Sequence, residues 1–110
     1  MTFSNHANLY RFTVNGEGVW SAGKRLLPEA LVTEAEAQRK WLPKPILPKG
    51  EYIFLLTEGG KRQYENTLMR IHEKYLEPIV CEVFSAKQLG EIVYRDEWQV
   101  VVRKLIAVTH

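Results

Sequence analysis

Polar and apolar residues alternate along Leu9-Tyr10-Arg11-Phe12-Thr13-Val14. Tyr10, Phe12 and Val14 take one face; Leu9, Arg11 and Thr13 take the other. This is the period of a half-buried strand. Asn15-Gly16-Glu17-Gly18 breaks it, with two glycines available for positive φ. The period then changes. Val19, Ala22, Leu26 and Leu27 fall at i, i+3, i+7 and i+8. That spacing predicts a short helix from about Glu17 to Leu27. Gly23 weakens it by about 1 kcal/mol relative to alanine. Pro28 stops or kinks it. Thr33-Glu34-Ala35-Glu36 matches a capping box, so a second short helix is expected from about Glu34 to Trp41. Arg39 and Lys40 lie near its negative end, as the dipole prefers.

Residues 42–50 hold three of the five prolines. Proline fixes φ and biases the preceding residue to extended geometry, so this is a stiff surface connector. Ile46 and Leu47 are expected to tuck inward. The unbroken apolar run Tyr52-Ile53-Phe54-Leu55-Leu56 predicts a buried strand, and Thr57-Glu58-Gly59-Gly60 follows at once. Tyr64, Leu68, Ile71 and Tyr75 then recur at i, i+4, i+7 and i+11, one face of a helix. Thr57 can cap that helix, with Glu58 in its first turn against the positive end of the dipole. The rest of the chain must pack on this strand–helix unit.

Glu77-Pro78 ends the long helix, and residues 79–84 predict another core strand. Residues 85–90 read as a connection with one helical turn. Ile92, Tyr94, Trp98, Val100 and Val102 share one parity; Glu91, Arg95, Glu97, Gln99 and Arg103 share the other. This predicts one long strand, or two strands joined at Arg95-Asp96-Glu97. Leu105-Ile106-Ala107-Val108 predicts a last short strand or a packing segment. The expected fold is α+β, a mainly antiparallel sheet of about 4–6 strands with one long helix and one or two short ones.

Composition narrows the class. The 110 residues fit one globular domain, 1–110, with residues 1–7 a loose leader. Apolar residues make up 45% and charged residues 25%, the balance of an ordinary globular protein. A net charge of +2 is too small to argue for nucleic acid by bulk electrostatics. The N-terminus lacks the basic-then-apolar pattern of a signal peptide. No stretch reaches the ~20 apolar residues of a membrane helix, so no membrane partner is expected. Cys81 is the single cysteine and cannot form an internal disulfide. Within Ile79-Val80-Cys81 it is expected to be a buried, inert thiol, which favours a reducing compartment. The expected location is cytoplasmic.

Candidate chemistry is sparse. His6, His72 and His110 do not stand at ligand spacing with another His or Cys, so no metal site is expected. His72 reads as a half-exposed helix residue, or alternatively a general base. Neither a nucleophile elbow nor a complete phosphate loop is present. Free amides at Thr57-Glu58-Gly59-Gly60 can hold an anion, but Glu58 opposes one and favours a plain strand-to-helix turn. Asp96 and Glu97 read as a solvated turn. Glu82, inside a core strand, must face the other side of the sheet or pair with a cation such as Arg11 or Arg95. Basic residues gather in two places. Lys44 and Lys49 follow Trp41 in the proline-rich segment, and Arg62, Arg70 and Lys74 lie near one helix face. A positive patch there can meet phosphate or an acidic protein surface. The bland reading is solvent-facing charge balanced by Glu58, Glu65 and Glu73. Trp41 is either a core plug or an exposed contact, tryptophan being a common interface anchor.

The order Arg11, Thr57, Glu97 on three strands resembles the triad of ADP-ribosyltransferase-like folds. Leu9-Tyr10-Arg11 and Phe54-Leu55-Leu56-Thr57-Glu58 are similar to small members of that fold. The resemblance implies an NAD-using transferase. Arg11 would grip the dinucleotide phosphates, Thr57 would support the nicotinamide ribose, and Glu97 would orient a ribose hydroxyl or the acceptor. Leu56-Thr57-Glu58-Gly59 and residues 95–101 also resemble segments of small proteins from bacteria and their phages.

The leading expectation is a small binding or regulatory protein that acts by protein–protein contact, without a cofactor. An inhibitor encoded by a phage or mobile element, directed at a host system, is typical of that size. Its contact residues would be Trp41, Lys44, Lys49, Arg62, Arg70 and Lys74. The alternatives are the NAD-using enzyme and a weak nucleic-acid-binding module.

Overall fold

The computed structural model of the chain describes residues 8–85 and 90–104. Among them are six strands in one antiparallel sheet and four helices, an α+β fold. The leader 1–7, most of the connection at 85–90 and the final segment 105–108 lie outside the described residues.

The first strand, β1 (Asn8–Val14), turns into the two-residue β2 (Glu17–Gly18) through Asn15-Gly16. Both turn residues have positive φ, 51° and 81°. That is the twist a two-residue hairpin loop needs, and Asn-Gly supplies it. The first helix therefore starts later than its periodicity suggests, as α1 (Val19–Leu26). Gly23 is buried in it. A Cβ there would stand 3.1 Å from His72 Nε2, tighter than ordinary contact, so the glycine eases the close approach of α1 to that ring.

The second helix, α2 (Glu29–Gln38), begins five residues before the expected Glu34. Pro28 precedes it and its carbonyl accepts from the Leu31 and Val32 amides. Proline is pre-organised for a helix start, and that signal prevails over the capping box. Thr33 instead sits mid-helix, its hydroxyl donating to the Glu29 carbonyl. In the connector that follows, Leu42 is buried, but Ile46 is fully exposed rather than tucked in.

The central unit forms as expected, as β3 (Tyr52–Leu56) followed by α3 (Glu58–Thr67). Leu55 and Leu56 are buried, while Phe54 is about half exposed. The Thr57 hydroxyl caps α3 by accepting from the Gly60 amide at 3.1 Å. The long helix does not run through to Tyr75. It breaks at Leu68 and restarts as α4 (Met69–Glu73). The Thr67 hydroxyl donates to the Gln63 carbonyl at 2.7 Å, a back-bond that bends helices. Tyr64, Leu68 and Ile71 still face the core; Leu76 takes the place expected of Tyr75, which is exposed.

The remaining strands are β4 (Val80–Ser85), β5 (Ile92–Arg95) and β6 (Gln99–Arg103). The sheet runs β2-β1-β3-β6-β5, with β4 on the other side of β1. The two-strand reading of 92–103 holds, with an irregularity between Ile92 and Tyr94 that resets the parity. Central β6 is buried on both faces from Gln99 to Val102. The helix-side core gathers Phe12, Val14, Leu56, Tyr64, Leu68 and Ile71 among others. The opposite face carries a smaller cluster of Leu9, Leu55, Val100 and Val102.

Candidate functional site

Three regions concern function: a cleft, the β3–α3 junction and the outer edge of β4.

The cleft opens because β1 and β3 share only one residue pair, Tyr10↔Leu56. Beyond it the strands part, and α1, α2 and the start of the connector line the gap. The volume is about 920 Å³. Trp20, Tyr64 and His72 form an aromatic floor. Tyr64 and His72 are essentially fully buried, so His72 is not the half-exposed residue expected. The Tyr64 hydroxyl and His72 Nδ1 share a hydrogen bond of 2.8 Å. The Trp20 ring stands edge-on to both, 5.6 Å away between centroids. Burial pushes the imidazole down to about 4, so His72 is neutral near pH 7. Burial, helped by Glu73, pushes the Tyr64 phenol well above its ordinary value.

Arg11 also lines this cleft. Its register partner on β4 is Glu82, and the two side chains pair at 3.5 Å. The cation expected for Glu82 is therefore present.

The β3–α3 junction holds the other two residues of the resemblance in different roles. Thr57 donates its hydroxyl to the backbone carbonyl of Glu97 at 2.6 Å, and its amide bonds the Trp98 carbonyl. A Cβ on Gly60 would come within 2.0 Å of that Trp98 carbonyl. Gly60 thus lets α3 close onto the β5–β6 turn, the plain strand-to-helix turn. The Glu97 side chain is exposed, and neither it nor Thr57 lines the cleft that holds Arg11. Asp96 organises the turn. It accepts from the Trp98 and Gln99 amides, the Tyr94 hydroxyl and the Gln99 side chain. Burial works to raise its pKa, but these donors outweigh it and hold the carboxyl below the ordinary value. Gln99 also reaches the Pro43 carbonyl at 2.6 Å, fastening the connector to the sheet.

The six contact candidates do not form one surface. Trp41 is a packing residue. Its ring meets Trp98 edge-on, and its N–H bonds the Thr67 hydroxyl. Lys44 stands at the cleft rim beside Glu36, 3.9 Å away. Lys49 is an exposed connector residue. The break at Leu68 separates Arg62, which leans on Glu58 at 3.9 Å, from Arg70 and Lys74. Those two line a shallow groove that also contains Glu34.

The edge of β4 was not foreseen. β4 pairs with β1 over all six residues and, among the described residues, with no other strand. Val80 and Val83 are 49% and 58% exposed. Cys81 is exposed too, not buried as expected. Partial shielding of its sulfur raises the thiol pKa, with Lys61 pulling the other way. The run Val-Cys-Glu-Val-Phe-Ser carries one charge, and such a composition reads the same for a core strand as for an edge.

Among the described residues no group of His, Cys, Asp or Glu could hold a metal ion. No helix among them is long and apolar enough to cross a membrane. Comparisons with protein-family models, curated proteins and solved structures find no match.

Proposed function

We propose that this chain is a binding module that acts by protein contact, taking an extended segment of a partner protein alongside β4. The observation that carries the reading is the character of that edge. Natural sheets blunt exposed edges with lysine, proline, bulges or a covering element. β4 has none of the first three within its six residues and exposes two valines. A strand is the occupant because, among the described residues, no strand pairs with the outer edge of β4, where backbone groups alternate with side chains. Charge favours a partner that brings a donor or cation level with Glu82. Its Oε1 is held by Arg11 from the β1 side, and its side chain is still 39% exposed at the edge. Two copies paired antiparallel about Glu82 would set like charges opposite, which is destabilising.

Cys81 makes the test site-specific. A benzophenone maleimide is attached to this sole cysteine, and the labelled chain is irradiated in lysate. The reading expects a cross-linked protein that is lost when Val83→Lys is added, while far-UV circular dichroism is unchanged. It also expects no such product when the label is moved to Lys40→Cys in a Cys81→Ser background. Equal cross-linking from both positions, survival of the product in Val83→Lys, or no product at all would overturn it.

A further inference from the structure

We infer a second site, in the cleft, for a small flat apolar molecule that carries an oxyanion, with Arg39 as the anchor. The volume of about 920 Å³ is of the size that ligand pockets have. On the helix side its walls are Trp20, Val32 and Leu42, which suit an apolar body. Arg39 ends α2 and lays its guanidinium over the Trp20 ring, 5.2 Å from the centroid. It is half-buried. Among the described residues it has no carboxylate partner, and its Nε is buried with no hydrogen-bond acceptor.

The neighbouring charges are already satisfied. Lys44 pairs with Glu36, and Arg11 with Glu82. Glu17 is held by Arg25 and Ser21. Lys24 and Lys104 lie exposed at the margin, where water solvates them. Arg39 is therefore a shielded cation with donors to spare beside an aromatic ring. A guanidinium is weakly hydrated, and its planar fork matches the two oxygens of a carboxylate or phosphate. A neutral carboxamide of the same shape offers those donors one carbonyl oxygen and no charge.

The test is isothermal titration of the full chain with 2-naphthoate, 2-naphthyl phosphate and, as the neutral isostere, naphthalene-2-carboxamide. At least one anion is expected to bind about tenfold or more tighter than the amide, since a hydrogen bond to a charged group is at stake. Arg39→Gln should erase that preference by weakening the anions far more than the amide, whose retained binding also shows that the cleft is intact. The comparison of anion with amide on the wild-type chain stands without the variant. Equal affinities, no binding of either anion, or a preference that survives Arg39→Gln would overturn the assignment.

Discussion

Acidification should weaken this protein through His72. The ring is 2% exposed, bonded to Tyr64 and edged by Trp20, and burial lowers its pKa from 6.5 to about 4. The unfolded chain therefore binds a proton in a range where the folded chain does not. The sign follows from linkage. The stabilisation is fully present above about pH 6.5 and declines as pH falls toward the folded-state pKa of about 4. Each pKa unit corresponds to about 1.4 kcal/mol, so the loss from about pH 7.5 to about pH 5 is roughly 2 kcal/mol. Urea unfolding followed by circular dichroism at a series of pH values measures it. His72→Gln should be less stable at neutral pH yet show a curve flatter by that amount. His6 and His110 are common to both proteins and cancel in the difference. Parallel curves for the two proteins would refute the assignment of a buried neutral imidazole.

Other outcomes follow from the junction and the turn. Gly60→Ala drives a methyl into the Trp98 carbonyl and should cost roughly 3 kcal/mol, read from the urea midpoint. Thr57→Val removes the cap and the bond to the Glu97 carbonyl and should cost about 1–2 kcal/mol in the same assay. Asp96→Ala strips the turn of its acceptor and should cost about 2 kcal/mol at neutral pH. Because the Asp96 pKa is depressed, its stabilisation is present above the ordinary carboxylate range and lost as pH falls through the folded value. That variant should therefore flatten the stability curve only below about pH 4, apart from the His72 window.

Local signals carried much of this structure. The strand at Leu9–Val14, the capping threonine at 57 and the apolar run before it each lie where the pattern places them, although Leu9 and Thr13, on the second face of that strand, are buried as well. The pairing of Arg11 with Glu82 was one of two options legible for a carboxylate inside an apolar run, which must face away from the core or meet a cation. What misled was competition between equally valid local signals. Pro28 and the Thr33 box both mark a helix start, and only tertiary packing selects between them. The break at Leu68 leaves the apolar periodicity intact, so periodicity cannot reveal it. Tertiary facts were not readable at all. The contact of Arg39 with Trp20 joins positions without a shared motif. Whether Val80–Ser85 is central or marginal depends on strand order, which the run itself does not encode. The triad resemblance rested on order along the chain. In space, Thr57 holds the backbone of Glu97, while Arg11 faces Glu82 in the cleft.

Amide hydrogen exchange of the chain with and without its cross-linked partner tests the proposed contact most directly. Added protection is expected along residues 80–85, where new backbone hydrogen bonds would form. Protection confined instead to α4 around Arg70 and Lys74, with 80–85 exchanging as in the free chain, would contradict it.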